Sequence, residues 1–253
     1  MRCFSVSLSN FFAEYRRVAL AFSGGVDSAY LLYAAKQYGS EVRAYYVKSA
    51  FQPQFELEDA KRLANELHTD IKIIEVDVLS SPEIVSNPDN RCYYCKKRIF
   101  TAIEQEARKD GFTVLLDGTN ASDDEGDRPG MRALRELSVR SPLRECGLTK
   151  ADIRRLSNEA GLFTWDKPAY ACLATRIPAG ESITKEKLTA TEKAEGYLFS
   201  LGFTDFRIRM MGDTAKIQLP EAQLGLLLEN RAGIIAELKK YYRSVLLDLE
   251  VRS

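Results

Sequence analysis

The sequence reads as an α/β protein: a doubly wound, mostly parallel sheet with a small C-terminal α+β domain. Three observations carry that reading. Short apolar runs alternate with helical patterns from Val18 to Leu116, the order needed by a parallel sheet with helices on both faces. The first run, Val18 to Phe22, passes directly into Ser23-Gly24-Gly25-Val26-Asp27-Ser28 and then into a helical segment. The length of 253 residues, 45% hydrophobic and 28% charged, suits one large domain plus a smaller one.

The run Val18-Ala19-Leu20-Ala21-Phe22 has the length and composition of a buried strand. Ala29 to Gln37, rich in Ala, Leu and Tyr, forms the helix after it and stops at Gly39. A strand (Val42–Val47), an amphipathic helix (Glu56–Leu67) and a strand (Ile71–Val76) follow. Beyond a Pro-containing loop from Ser81 to Asn90, a helix over Tyr93–Arg108 leads to the strand Thr113–Leu116. Asp117 to Gly130 is polar and turn-rich and reads as a mobile loop. A helix over Lys150–Ala160 is capped by Thr149 and ended by Gly161. The irregular stretch Trp165 to Thr184 reads as the domain junction, giving domains at 1–180 and 181–253. The second domain reads helix (Lys185–Leu201), strands Phe206–Met210 and Ala215–Leu219, helix (Pro220–Tyr242) and strand (Val245–Val251).

Composition narrows the chemistry. Lys plus Arg number 36 and Asp plus Glu 36, so the net charge of zero argues against a surface devoted to nucleic acid. The single histidine, His68, excludes a three-histidine zinc site, and a Ser-His-Asp triad would have to rest on it alone. His68 ends a helix and reads as a partner of its C-terminal dipole. Met1 to Asn10 lacks the apolar core of a signal peptide, and no run reaches the ~18–20 apolar residues of a membrane span. The expectation is a soluble cytoplasmic protein.

Glycines between a strand and a helix let backbone N–H groups close on an anion, and the helix N-terminus adds partial positive charge. Ser23 and Ser28 add hydroxyl donors, while Asp27 beside a phosphate calls for a divalent cation between the two. The spacing is not that of the Walker loop. Cys92-Tyr93-Tyr94-Cys95 opens a helix and is followed by Lys96, Lys97 and Arg98. Such a pair serves as a redox dithiol, as half a zinc site or as two ligands of an iron–sulfur cluster. Cys172 is a third thiol, either a cluster ligand or a small buried hydrophobe, and Cys3 and Cys146 read as incidental. From Arg128 to Arg155 there are eight Lys/Arg (128, 132, 135, 140, 144, 150, 154, 155) against three acids (136, 145, 152), a supply of cations for an anionic substrate. Arg207 and Arg209 alternate with Phe206 and Ile208, so both leave one face of a strand, either toward phosphate or into a salt-bridged sheet face.

The Ser23–Ser28 segment resembles the pyrophosphate-binding loop of the PP-loop ATP pyrophosphatases. Together with Cys92–Arg98, Leu116–Asn120, Asp127–Gly130, Ser141–Leu143, Lys167–Gly180 and Phe206–Arg209, it is similar to the LarE sulfur transferases over nearly the whole chain. The Arg-x-Arg strand separates this branch from NAD and GMP synthetases. The resemblance implies that ATP adenylates a carboxylate of a pyridinium dicarboxylate mononucleotide. Sulfur then replaces the activated oxygen, giving a thiocarboxylate for a nickel-pincer nucleotide cofactor. It implies Mg²⁺ at Asp27 and, through Cys92, Cys95 and Cys172, a [4Fe–4S] cluster, the alternative being a cysteine that gives up its own sulfur. Catalytic roles fall on Cys172, Asp27 and Glu195, the last reading equally as a partner of the arginines or as a solvated helix side chain. Nucleotide and substrate binding falls on Ala21, Ser23, Gly24, Gly25, Asp27, Ser28, Lys96, Gly118, Arg128, Thr175, Arg176, Arg207 and Arg209. A sulfide donor and a homo-oligomer, trimer or hexamer, complete the expectation. The competing readings are a tRNA-thiolating PP-loop enzyme and a non-catalytic ATP- or metal-binding regulator.

Overall fold

A computed structural model describes residues 7–123 and 129–250. In chain order the first elements are α1 (Leu8–Glu14), β1 (Arg17–Ala21), α2 (Val26–Gln37), β2 (Glu41–Lys48), α3 (Gln54–Glu66) and β3 (Ile71–Glu75). Next come α4 (Pro82–Val85), α5 (Arg91–Lys109), β4 (Leu115–Leu116), α6 (Pro129–Glu136), α7 (Pro142–Glu145) and α8 (Lys150–Glu159). A 3₁₀ turn (Leu173–Arg176) precedes α9 (Lys185–Ser200), β5 (Arg207–Met211), β6 (Thr214–Gln218), α10 (Leu224–Glu229), α11 (Arg231–Leu238) and β7 (Ser244–Leu247).

The chain divides into two compact units. The first takes in the described residues up to Ser49, with Gln54–Val76 and Asn90–Lys167. Its four strands are all parallel, in the order β3-β2-β1-β4, so the α/β reading holds. Alternate strand residues supply two cores. Leu20, Ala44 and Tyr46 join Phe11, Phe12, Leu31, Leu57 and Ile153 on one side, while Ala19, Tyr45 and Val47 join Phe100, Ile103, Met131 and Leu134 on the other. Two apolar faces explain why β1 reads as a continuous apolar run rather than an alternating one.

The second unit comprises Ala50–Pro53, Asp77–Asp89 and the described residues from Pro168 onward. Backbone bonds join its separated stretches: Leu173 N–H to Phe51 O (3.0 Å), Gly180 N–H to Asn87 O (2.8 Å) and Ile183 N–H to Val85 O (2.8 Å). Residues 168–180, expected with the first domain, are grouped by these contacts with the second unit. The sheet here is β5-β6-β7, antiparallel between β5 and β6 and parallel between β6 and β7. Ile208, Ala215 and Ile217 are buried on one face, α9 packs on β5, and α11 packs on α9.

Two expectations are corrected, and four helices are new: α1, α4, α6 and α7. The helix expected over Pro220–Tyr242 is broken at Asn230, whose Nδ2 turns back to Leu226 O at 2.9 Å and ends α10. The segment after β4 is ordered where it begins. Asp117 and Asn120 are buried, and Asp117 Oδ1 accepts from Ser141 Oγ (2.6 Å) and from Thr119 N–H (3.3 Å). Of the new helices, α1 over Leu8–Glu14 is amphipathic, its Ser7 cap accepting from Asn10 N–H.

Asp110 ties the far edge of the sheet together. It accepts from Lys72 (2.9 Å), Tyr45 OH (2.8 Å) and Arg43 (3.2 Å), and these bonds, Lys72's foremost, hold its pKa down at about 2. A carboxylate with a depressed folded pKa stabilises fully above its unfolded value of about 4, and that contribution is lost as pH falls toward 2. Urea midpoints between about pH 5 and 2 are therefore expected to fall less steeply in Asp110→Asn than in the parent.

Candidate functional site

In the first unit the expected residues gather where β1 hands over to α2. Ser23 Oγ lies 3.1 Å from Ser28 Oγ and accepts from Gly25 N–H at 3.3 Å, while Ser28 Oγ donates to Gly25 O at 3.2 Å. Gly25 caps α2 with no side-chain bond, so the start of that helix has no side-chain cap, as an anion site at a helix N-terminus requires. Gly24 has φ +73°, and a Cβ there would stand 3.1 Å from Ala60 Cα, so only glycine suits the turn. Gly118 is constrained from the opposite side, since a Cβ would come 3.0 Å from Ser28 N. Ala21, the last residue of β1, pairs with Tyr45 and sets the height of the loop.

Asp27 stands at the centre. Its Oδ2 accepts from Lys150 Nζ at 2.5 Å and its Oδ1 from Asn120 Nδ2 at 3.3 Å. Burial raises its pKa despite the bond and charge of Lys150, and the nearby Asp123 adds to the rise. Lys150 is brought there by local sequence. Thr149 and Asp152 form a capping box that starts α8, and Lys150 N–H donates to Ser122 Oγ at 2.9 Å. Sequence reasoning counted Lys150 only as one of a basic stretch and left both it and Asn120 out of the site. The capping pattern marks where α8 begins, but not what its first lysine reaches.

The rest of that basic stretch is mostly structural. Arg140 pairs with Glu145 (2.5 Å), Arg155 with Glu159 (2.7 Å), and Arg154 donates to Trp165 O (2.8 Å) and Lys167 O (3.0 Å). Arg128 lies outside the described residues. Lys96 runs alongside Gly130, where a Cβ would meet its Cδ at 3.0 Å.

Cys92 and Cys95 occupy the first turns of α5, three residues apart on one helical face, with Cys92 exposed and Cys95 half-buried. That spacing and exposure fit two ligands of an iron–sulfur cluster. Among the described residues no three His, Cys, Asp or Glu side chains come together as a metal site. Cys146 ends α7, and burial pushes its thiol up to about 11, as befits an inert packing residue. His68 sits just past α3 with φ 47°, and its carbonyl accepts from Lys36 Nζ at 2.7 Å.

The second unit gathers the remaining expected residues around one turn. Cys172, half-buried, precedes the 3₁₀ turn, and its carbonyl accepts from Thr175 N–H (3.0 Å) and Thr175 Oγ1 (2.8 Å). Arg176 is 1% exposed yet charged. Its Nε donates to Glu195 Oε1 at 2.8 Å and its Nη2 to Oε2 at 3.2 Å, while Nη1 reaches Ala171 O at 3.0 Å and Thr175 Oγ1 at 2.7 Å. Burial works against the Arg176 charge, but the bonds and charge of Glu195 outweigh it and raise its pKa. Arg207 and Arg209 both turn toward this segment, Arg207 donating to Ala169 O and Arg209 to Thr175 O at 3.0 Å. Arg209 also donates to Gln218 Oε1 at 2.6 Å.

Residues 11–124 match the asparagine synthase family model. The chain is 35% identical to an uncharacterised protein of Synechocystis, covering 96% of this chain and 92% of that one. It is also 35% identical to pyridinium-3,5-bisthiocarboxylic acid mononucleotide synthase of Lactiplantibacillus plantarum, over 93% of this chain and 87% of the synthase. A glutamine-hydrolysing GMP synthase chain of Methanosphaerula palustris is 28% identical over 70% of this chain and 62% of its own length.

Proposed function

The chain belongs to the LarE family of PP-loop enzymes, and on that premise we propose that it is an ATP-dependent sulfur transferase acting on a pyridinium carboxylate mononucleotide. The observation that carries this reading is the reach of the similarity. The match to the GMP synthase chain covers 70% of this sequence, whereas the match to the thiocarboxylate synthase covers 93%, so the likeness is not confined to the ATP-using part.

The chemistry balances without a histidine base. A carboxylate oxygen of the substrate attacks the α-phosphorus of ATP and pyrophosphate leaves. A sulfide sulfur then attacks the acyl carbon, AMP leaves with the former carboxylate oxygen, and one proton is released. Ser23, Ser28 and the first N–H groups of α2 receive the departing pyrophosphate, and Lys150 supplies a positive charge beside it. Asp27 would hold Mg²⁺, which would offset the charge of the ATP phosphates. Cys92, Cys95 and Cys172 would supply the thiolates of a [4Fe–4S] cluster, which would carry the sulfide. Lys96 serves the substrate's anionic groups. A homo-oligomer, trimer or hexamer, in the cytoplasm completes the proposal.

The test is anaerobic purification followed by iron and sulfide analysis, then assay with ATP, sulfide and the dicarboxylate mononucleotide. About four irons per chain are expected, with AMP, pyrophosphate and a thiocarboxylate product. Cys92→Ala is expected to lose the iron and the turnover together. Iron-free protein that turns over repeatedly would refute the cluster, and absence of pyrophosphate release would refute the assignment as a whole. Bulk tRNA that competes with the small nucleotide would favour a thiouridylase instead.

A further inference from the structure

Glu195, expected to be catalytic, has no free position from which to move a proton. It is 1% exposed, and four donors reach its two oxygens: Arg176 Nε, Arg176 Nη2, Tyr170 OH and the Ile208 N–H at 2.9 Å. Tyr170, which the sequence did not single out, does more than donate to it. Its ring lies 4.7 Å from the Arg176 guanidinium and 5.3 Å from that of Arg207. The carboxylate holds Arg176, and the Tyr170 ring lies against the guanidinium groups of both Arg176 and Arg207.

Those guanidinium groups fix the backbone around Cys172. Ala169 O accepts from Arg207, Ala171 O from Arg176, and Thr175 O from Arg209. Cys172 O accepts from Thr175. Tyr170 lies between two of the clamped carbonyls and bonds directly to the buried anion. We propose that Tyr170 and Glu195 are positioning residues for Cys172, setting the direction of its thiol through the Arg176 and Arg207 clamps rather than taking part in proton transfer. This rests on the reading above only in giving Cys172 a role in sulfur delivery; the clamp itself is geometric.

The test is Tyr170→Phe in the full chain, which keeps the ring and removes one donor. Reduced protein in chelating buffer is pulsed with iodoacetamide, and labelling of Cys172 and Cys92 is followed by peptide mass mapping. Cys172 labelling is expected to quicken at least about threefold, with Cys92 unchanged, because a loosened turn opens more often. An unchanged or slower Cys172 rate overturns the proposal. Equal acceleration at both cysteines, the mark of general loosening, also overturns it. Glu195→Asp, which keeps the charge and shortens the reach, provides a second variant with the same expected pattern. Labelling needs neither ATP nor nucleotide, so a failed sulfur-transfer assay would sink the proposed function without deciding this point.

Discussion

Asp27→Asn is expected to cut pyrophosphate release about 10²–10³-fold while leaving the melting temperature within about 3 °C of the parent. The two halves of this expectation have one cause. Burial raises the Asp27 pKa, so its charge is held against a desolvation cost that folding alone would not select. Asparagine keeps the shape and can still bond Asn120, but it drops the charge that the proposed Mg²⁺ would need. Lys150 loses its partner, yet its side chain is 35% exposed and water can replace the carboxylate at little cost. Steady-state pyrophosphate release and a thermal melt on the same sample check both halves. Activity within about tenfold of the parent would remove Asp27 from the reaction.

Arg176→Met carries the largest expected effect on stability, a loss of about 3–5 kcal/mol. Both members of the Arg176–Glu195 pair are 1% exposed, so removing the guanidinium strands a carboxylate where water cannot reach it. For a chain of this size that corresponds to a fall in melting temperature of about 6–20 °C. The double variant Arg176→Met with Glu195→Leu is expected to recover part of the loss, since it removes the stranded charge along with its partner. A double variant less stable than the single one would show that Glu195 holds the unit through Tyr170 and the Ile208 N–H rather than through Arg176.

Legibility differed between the two halves of the chain. The parallel sheet could be read because its strands and longer helices carry their own signals, in the apolar run at 18–22, the Thr149 cap and the period of α5. The break at Asn230 could not, because the leucines and isoleucines around it look equally helical throughout. The Arg207/Arg209 alternation correctly put both residues on one strand face. It could not say that they end on backbone carbonyls, since those carbonyls lie more than thirty positions earlier in the chain.

Residue types and local spacing determined by themselves the fold class, the glycine-bearing anion loop and the thiol pair, because each is a short-range pattern with its own chemistry. Tertiary structure alone decided that Lys150 answers Asp27 across 123 residues, that Glu195 is saturated rather than available, and that Tyr170 bonds to it. The physical reason is the same each time. Whether a charged or polar side chain is spent on structure or left for chemistry depends on which partners and how much water surround it, and both are set by residues distant in the sequence.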